Sequence, residues 1–178
     1  MIRKSHNRLK GYNYSNAAYY YVTICAYKHE CLFGKIIKHK MTLNSAGKMV
    51  DTVIKELPKY YSCLLLDEHI IMPNHAHMII GLNQNKLFNT GQARGPVPTQ
   101  LSLSDIICRL KSLTTNKYIK CVNDKQWPIF NKHLWQRSFY DHIIRNEVSL
   151  NKIREYIISN PVNWAEDEEN PDAGLLTR

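Results

Sequence analysis

Two histidines, His75 and His77, stand two residues apart within an apolar run that covers residues 70–80. The run is rich in β-branched residues on both sides of a short polar centre, which predicts a buried β-strand. On a strand, residues i and i+2 point to the same face, so both imidazoles can reach one ion while Ala76 points to the other face. Imidazoles among apolar neighbours need polar partners, and a metal ion is the partner that uses both rings. Two histidines leave a metal site incomplete, so the pair requires a further ligand from elsewhere in the chain.

A second group of candidate residues belongs to a helix that the apolar spacing predicts over residues 147–159. Lys152, Tyr156 and Asn160 are spaced by four residues, so they stack on one face of this helix. The Tyr156 phenol can attack phosphorus as a covalent nucleophile, and the Asn160 amide oxygen can complete a metal site begun by the two histidines. A packed tyrosine and an asparagine before a proline are also common structural features of helix ends. Spacing alone therefore leaves these roles open.

The charge of the chain favours a polyanionic partner. Lys and Arg total 24 against 15 Asp and Glu, which gives a formal net charge of +9, and several of the acids cluster near the C-terminus. Basic proteins bind nucleic acids through phosphate contacts, and the 11 Tyr and 3 Trp add surfaces on which bases can stack. Nucleic acid is therefore the predicted partner class. The basic candidates for phosphate contacts in the N-terminal arm and in a predicted second helix are Arg8, Lys10, Arg109 and Lys111.

Composition argues against a membrane or disulfide-rich protein. No run of about 18 apolar residues is present, which predicts no transmembrane helix, and the basic N-terminus is not followed by an apolar segment of the signal-peptide type. The five cysteines include no Cys-x-x-Cys pair, so we expect no zinc ribbon or disulfide framework, and Cys25, Cys63 and Cys108 are predicted to be small core residues. The expected location is the cytoplasm, in association with the nucleoid.

The predicted elements follow the order strand, helix, strand, strand, helix, strand. This order predicts an α+β fold with a ferredoxin-like (split βαβ) antiparallel sheet, helices on one face and a C-terminal helix after it. The open face of such a sheet is a common site for single-stranded nucleic acid. We expect one domain, residues 1–178, with a basic arm (1–10), a flexible loop (83–100) and an acidic tail (165–178). The predicted strands are 18–26, 60–71, the histidine-bearing run and a strand within 129–140, and the predicted helices are 43–57, ended by Pro58, then 104–120 and 147–159.

Three blocks of the sequence, taken together and in order, resemble the single-tyrosine (Y1) HUH transposases. Residues 72–80 (Met-Pro-Asn-His-Ala-His-Met-Ile-Ile) resemble their His-hydrophobic-His motif. Residues 135–145 (Trp-Gln-Arg-Ser-Phe-Tyr-Asp-His-Ile-Ile-Arg) resemble the block that follows it. Residues 156–162 (Tyr-Ile-Ile-Ser-Asn-Pro-Val) are similar to the nucleophile helix of the branch called REP-associated tyrosine transposases, a branch distinct from the IS200-like insertion-sequence relatives. The resemblance covers roughly residues 8–164.

The resemblance implies cleavage of single-stranded DNA near a hairpin, through a covalent 5′-phosphotyrosine. It implies Tyr156 as the nucleophile and His75, His77 and Asn160 as ligands of a divalent ion, Mg²⁺ or Mn²⁺. Two imidazoles suit Mn²⁺ better than Mg²⁺, which prefers oxygen ligands. Tyr140 is the rival nucleophile, and Tyr156 is preferred because a ligand-type residue follows it by one turn. Further candidates for DNA contacts, from the second block and the nucleophile helix, are Arg137, His142, Arg145 and Lys152.

Three other functions are weighed against this interpretation. A non-catalytic protein of the same fold would bind hairpin DNA or RNA and leave the strand intact. An initiator nuclease of the wider HUH group is usually larger, which the length disfavours. A zinc hydrolase needs a third histidine or a carboxylate near His75 and His77. Monomer and homodimer both stay open.

Overall fold

The computed structural model describes residue 14 and residues 18–83, 101–124 and 127–173. Within these residues the chain forms a four-stranded antiparallel sheet, a two-stranded hairpin and three α-helices, so the predicted mixed fold is confirmed. The order of the strands across the large sheet is β4-β5-β1-β6. The elements are β1 (Ala18–Cys25), β2 (Gly34–Ile37), β3 (Lys40–Leu43), α1 (Ser45–Tyr60), β4 (Leu64–Ile71), β5 (His75–Leu82), α2 (Leu103–Asn123), β6 (Tyr140–Ile144) and α3 (Glu147–Ser159).

The two faces of the large sheet carry different helices. Alternate residues of β1 point to opposite faces, so Tyr20, Val22 and Ile24 join a core that includes apolar residues of α1 and α2. Tyr21 points the other way and packs with residues of α3, among them Ile157. The face that the sequence suggested as open to nucleic acid is therefore covered in part by α3. Among the described helices, none is long and apolar enough to cross a bilayer.

The hairpin of β4 and β5 brings the histidines into the centre of the sheet. Pro73 and Asn74 form its turn, where the backbone N–H of Met72 donates to the carbonyl of His75 at 2.8 Å. Strand β5 also pairs with β1, with Thr23 opposite His77. Because β5 has a neighbour on each side, its backbone is hydrogen-bonded along both edges, which fixes the direction of its side chains.

Helix α3 is fixed at its start and along its length. The side chain of Asn146 caps it by accepting from the backbone N–H of Ser149 at 2.8 Å. Arg154 donates to both carboxylate oxygens of Asp67 on β4, at 2.8 and 2.5 Å. These hydrogen bonds from Arg154 hold the pKa of Asp67 below its ordinary value. The position of α3 over the sheet is thus defined by a bidentate ion pair as well as by apolar packing.

Several predicted boundaries differ from the structure. Pro58 lies inside α1, in its last turn, where it removes one hydrogen bond, and the N–H of Tyr61 still reaches the carbonyl of Leu57. The last strand is β6, because the aromatic segment before it packs on the core without forming an extended strand of its own. Cys108 is exposed on α2 and is not a core residue. The arm 1–10 and all of the loop 83–100 except Asn83 lie outside the described residues.

Candidate active site

His75 and His77 lie side by side on β5, and both are completely buried. Their Nε2 atoms are 3.0 Å apart, on the face of the sheet that α3 covers. This separation equals the edge of an octahedral site with metal–ligand bonds of about 2.1 Å. Ala76 lies between them in sequence and points into the opposite core, as strand geometry predicts.

Hydrogen bonds of Asn74 select the tautomer of the His75 ring, that is, which ring nitrogen carries the hydrogen. Its Nδ2 donates to the carbonyls of His29 and Glu169, at 3.1 and 2.6 Å, which leaves its Oδ1 as an acceptor 2.9 Å from His75 Nδ1. His75 must therefore carry its proton on Nδ1. The lone pair on Nε2 then faces His77, in the orientation that a metal ligand needs.

Two hydroxyl groups orient the His77 ring. Tyr21 Oη and Thr23 Oγ1 each lie 2.8 Å from His77 Nδ1. Burial raises the pKa of the Tyr21 phenol well above its ordinary value, so Tyr21 acts as a neutral hydroxyl. Either hydroxyl can accept the Nδ1 hydrogen in a hydrogen bond, which places the lone pair of His77 on Nε2, the atom that faces His75.

We expect the double variant Tyr21→Phe, Thr23→Val to bind Mn²⁺ about 10–100-fold more weakly, because His77 loses both groups that orient its ring. The loss of the Mn²⁺ electron paramagnetic resonance signal on binding measures the affinity. A matched control is Tyr60→Phe, Thr52→Val, which removes the same hydroxyls from exposed positions of α1. Equal affinity of the two double variants would show that the hydroxyls do not support a metal site.

Tyr156 and Asn160, one helical turn apart at the end of α3, both lie beside the histidine pair. The Tyr156 ring is half-buried, with its centroid 5.7 Å from that of His77 and 6.2 Å from that of Tyr21. The side chains of Tyr156 and Tyr21 are also hydrogen-bonded. Asn160 is 1% exposed, and its Oδ1 has no hydrogen-bond partner among the described residues. An unpaired buried acceptor is costly unless a ligand completes it.

Asp167 joins this cluster and was not predicted. Its carboxylate is buried, and its ligand atoms and those of His75 and His77 all lie within 4.8 Å of one another. Asn160 Nδ2 donates to Asp167 Oδ2 at 3.2 Å, so the amide nitrogen faces the carboxylate and Oδ1 is left as the free acceptor. Imidazole nitrogens, an amide oxygen and a carboxylate together make a donor set that fits a divalent ion such as Mn²⁺.

The segment that follows α3 is folded against the site. The Trp164 ring lies 6.0 Å from the ring of His75. Glu169 is buried and pairs with His29 Nδ1 at 2.8 Å, and its carbonyl accepts from Asn74. The described part of the predicted acidic tail is therefore packed in a defined position, with Asp167 and Glu169 inward. No local pattern distinguishes these two acids from Glu166 and Glu168, which are exposed.

The rival nucleophile and one basic candidate have defined places. Tyr140 begins β6, at the edge of the sheet, opposite Thr23 and half-buried. The Lys111 ammonium donates to the carbonyls of Gln136 and Ser138, both at 2.8 Å, and burial lowers the pKa of Lys111 to about 8. Lys111 therefore holds the segment before β6 instead of presenting its charge to solvent.

The remaining basic candidates are separated across the molecule. Arg109 lines a cavity of about 290 Å³ with residues of α1 and α2, on the face of the sheet opposite α3. His142 and Arg145 line another cavity of about 290 Å³ beside the start of α3. Arg137 and Lys152 are exposed. Arg8 and Lys10 lie outside the described residues.

Comparisons with known proteins identify the family and the fold of the chain. The family described as IS200-like transposases matches residues 96–160. An uncharacterized protein of Haemophilus influenzae is 35% identical over 166 residues, which cover 90% of this chain and 89% of the relative. Among solved structures, the chain is similar to a REP-associated tyrosine transposase bound to a REP hairpin, with a TM-score of 0.57 and 18% identity. That similarity covers 89% of this chain and 74% of the other.

Proposed function

This chain belongs to the IS200-like, single-tyrosine transposase family, and we propose that it cleaves and rejoins single-stranded DNA at hairpins through Tyr156. The observation that carries the proposal is the position of Tyr156 on α3, half-buried and with its ring 5.7 Å from that of His77. A phenol in this place is next to the buried histidine pair and still accessible to a DNA strand.

The proposed reaction is a transesterification. Tyr156 Oη attacks the phosphorus of a phosphodiester, a bond from Oη to phosphorus forms, and the bond from phosphorus to the 3′ oxygen breaks. The phenol loses its proton and the departing 3′ oxygen gains one, so the products are a 5′-phosphotyrosine and a 3′ hydroxyl. A second 3′ hydroxyl reverses the step and releases the tyrosine. One ester replaces another, so no external energy source is needed.

His75 Nε2, His77 Nε2 and Asn160 Oδ1 are the atoms that we propose as ligands of a divalent ion, Mg²⁺ or Mn²⁺. When bound, such an ion polarises the scissile phosphate and stabilises negative charge on the leaving oxygen. The buried Oδ1 of Asn160 supports this assignment, because it accepts no hydrogen bond from any residue in the described part of the chain. Two nitrogen donors favour Mn²⁺ over Mg²⁺.

Burial favours Tyr156 over the other tyrosines near the histidines. Tyr21 contacts His77 directly, but it is 4% exposed and a phosphate group has no access to its hydroxyl. Tyr140 lies on the edge strand β6, with β1 between it and the histidine-bearing strand β5. Tyr156 combines a ring contact to His77 with partial exposure.

We propose hairpin DNA as the substrate because a REP-associated transposase of the same fold has been solved with a hairpin bound. Lys152 is exposed on α3, and the exposed His142 and Arg145 line a cavity beside the start of this helix, so we propose these three residues as phosphate contacts. Arg109 is on the opposite side of the sheet, where a contact to the same hairpin requires DNA that wraps around the molecule. The protein acts as a monomer or a homodimer.

A hairpin with a single-stranded flank, labelled at its 3′ end so that the label stays on the fragment joined to Tyr156, tests the proposal. With Mn²⁺, part of the protein should acquire a covalent DNA adduct that survives denaturing electrophoresis, and excess EDTA added beforehand should abolish it. A fully paired duplex of the same sequence is the matched control and should give no adduct. Binding of the hairpin with intact strands under both Mn²⁺ and Mg²⁺ would instead support a non-catalytic hairpin-binding protein.

Asp167 gives a specific reason to test hydrolysis as a second candidate function. A zinc hydrolase needs a third histidine or a carboxylate near the two histidines, and Asp167 provides a carboxylate. Such an enzyme would release cleaved DNA that is free of protein, and its rate would not depend on Tyr156. The same denaturing gel distinguishes the two reactions. Only the transposase reaction leaves the label covalently joined to the protein, in a slowly migrating band.

A further inference from the structure

We propose that Asp167 is a fourth protein ligand of the divalent ion, together with His75, His77 and Asn160. This inference rests on the proposed metal site and extends it with a carboxylate from the segment after α3. The carboxylate changes the chemistry of the site, because the other three ligands are neutral.

The geometry of the cluster is close to that of a bound site. In octahedral coordination with bonds of about 2.1 Å, adjacent ligands are about 3.0 Å apart and opposite ligands about 4.2 Å apart. The two Nε2 atoms are 3.0 Å apart, and the ligand atoms of His75, His77 and Asp167 all lie within 4.8 Å of one another. A displacement of less than about 1 Å is therefore enough to place all three atoms on one cation.

The hydrogen bonds of Asp167 leave room for a cation. Oδ1 accepts from the backbone N–H of Glu169 at 2.7 Å, and Oδ2 accepts from Asn160 Nδ2 at 3.2 Å. Each carboxylate oxygen has two lone pairs, so each retains one. Asp167 is 8% exposed, and no lysine or arginine in the described part of the chain pairs with it. A buried carboxylate of this kind needs a positive partner, and a metal ion supplies one.

The surrounding contacts hold Asp167 in this position. Trp164 packs near His75, and the next buried acid, Glu169, is fixed by His29 and Asn74. Asp167 is the C-terminal cap of a short 3₁₀ turn, and its backbone N–H donates to the carbonyl of Trp164. Because these contacts already order the segment, binding of the ion costs less conformational entropy.

The test is Mn²⁺ binding to the full chain without DNA, measured from the electron paramagnetic resonance signal of free Mn²⁺. Asp167→Asn should bind Mn²⁺ at least about 10-fold more weakly than the unmodified chain, because it loses a charged ligand. Its one carbonyl oxygen still accepts from the backbone N–H of Glu169, as Asp167 Oδ1 does. Glu168→Gln is the matched control: it removes the same charge from the neighbouring exposed position and should bind normally.

Three outcomes separate this inference from the proposed function. Weak binding by Asp167→Asn with normal binding by Glu168→Gln supports the ligand assignment. Normal binding by Asp167→Asn and weak binding by Asp167→Ala would overturn it, because Asp167 would then act only by positioning Asn160. Normal binding by both Asp167 variants, with a loss in His77→Ala, would also overturn it and leave the histidine site intact. Thermal unfolding without metal confirms that each variant is folded.

Discussion

Tyr156→Phe is expected to abolish covalent attachment to hairpin DNA, with a loss in rate of about 10⁴-fold or more, since no other group replaces a missing nucleophile. Phenylalanine keeps the ring that packs 5.7 Å from His77 and 6.2 Å from Tyr21, so α3 should stay in place. The measurement is the yield of labelled protein–DNA adduct under single-turnover conditions with Mn²⁺. Hairpin affinity should change little, because the phosphate contacts do not depend on the phenol.

Tyr140→Phe is the matched control for this experiment. It removes the same hydroxyl from a half-buried tyrosine at the start of β6, on the other side of β1 from the histidine strand. Its adduct yield should stay near that of the unmodified chain. An adduct that persists in Tyr156→Phe and is lost in Tyr140→Phe would reverse the assignment of the nucleophile.

His77→Ala should lower both Mn²⁺ affinity and adduct formation by more than about 100-fold, because the site loses a ligand and its oriented neighbours at once. The substitution also leaves the hydroxyls of Tyr21 and Thr23 without the ring to which they bond, so some loss of stability is expected. Unfolding in urea measures that loss separately. His133→Ala, at an exposed position, is the control and should leave both quantities unchanged.

The two effects of His77→Ala can be distinguished by the concentration of metal. If His77 acts as a ligand, a large excess of Mn²⁺ should restore part of the adduct yield of a folded variant. A folded variant that binds Mn²⁺ normally and still forms no adduct would place His77 outside the metal site and assign it a role in positioning Tyr156.

Elements with strong periodicity were predictable from the sequence. The β1 strand, the hairpin that carries the histidines and the α3 helix were all expected near their observed bounds. The apolar runs of β1 and β5 are buried on both faces, and α3 buries Ile153 and Ile157 one turn apart, so local pattern and tertiary packing agree. The common face of His75 and His77 follows directly from the period of two of a strand.

The position of β6 was not predictable by the same reasoning. The segment before it is aromatic and apolar, but those side chains serve the core individually: Trp135 donates to Thr114 Oγ1 at 2.8 Å and its ring lies 4.9 Å from that of Phe33. The true strand, Tyr140–Ile144, is an edge strand in which Ile144 is the one buried residue. Apolar and aromatic composition indicates that a segment is buried, but it does not show that the segment pairs with another strand. The strand was therefore predicted within 129–140 and lies at Tyr140–Ile144.

Asp167 and Lys111 show why the candidate site and its surroundings needed the structure. Asp167 lies in a run of acidic residues, a pattern that is typical of a solvent-exposed segment. Its position beside the histidines depends on the path of the chain after α3. Lys111 reads as part of a basic helix face, but backbone carbonyls of a distant segment bind its ammonium. Both depend on contacts between residues far apart in sequence, which no local pattern encodes.

The packing of α3 against the sheet of its own chain has a stoichiometric consequence for strand exchange. In the proposed function, each copy has one half-buried phenol, that of Tyr156, beside its histidine pair in the described part of the chain, and so holds one captured end at a time. Two ends must then be handled in succession by one copy, or simultaneously by two copies that each contribute a complete centre. Titration of captured ends against protein should therefore saturate at one per chain, whatever the state of assembly.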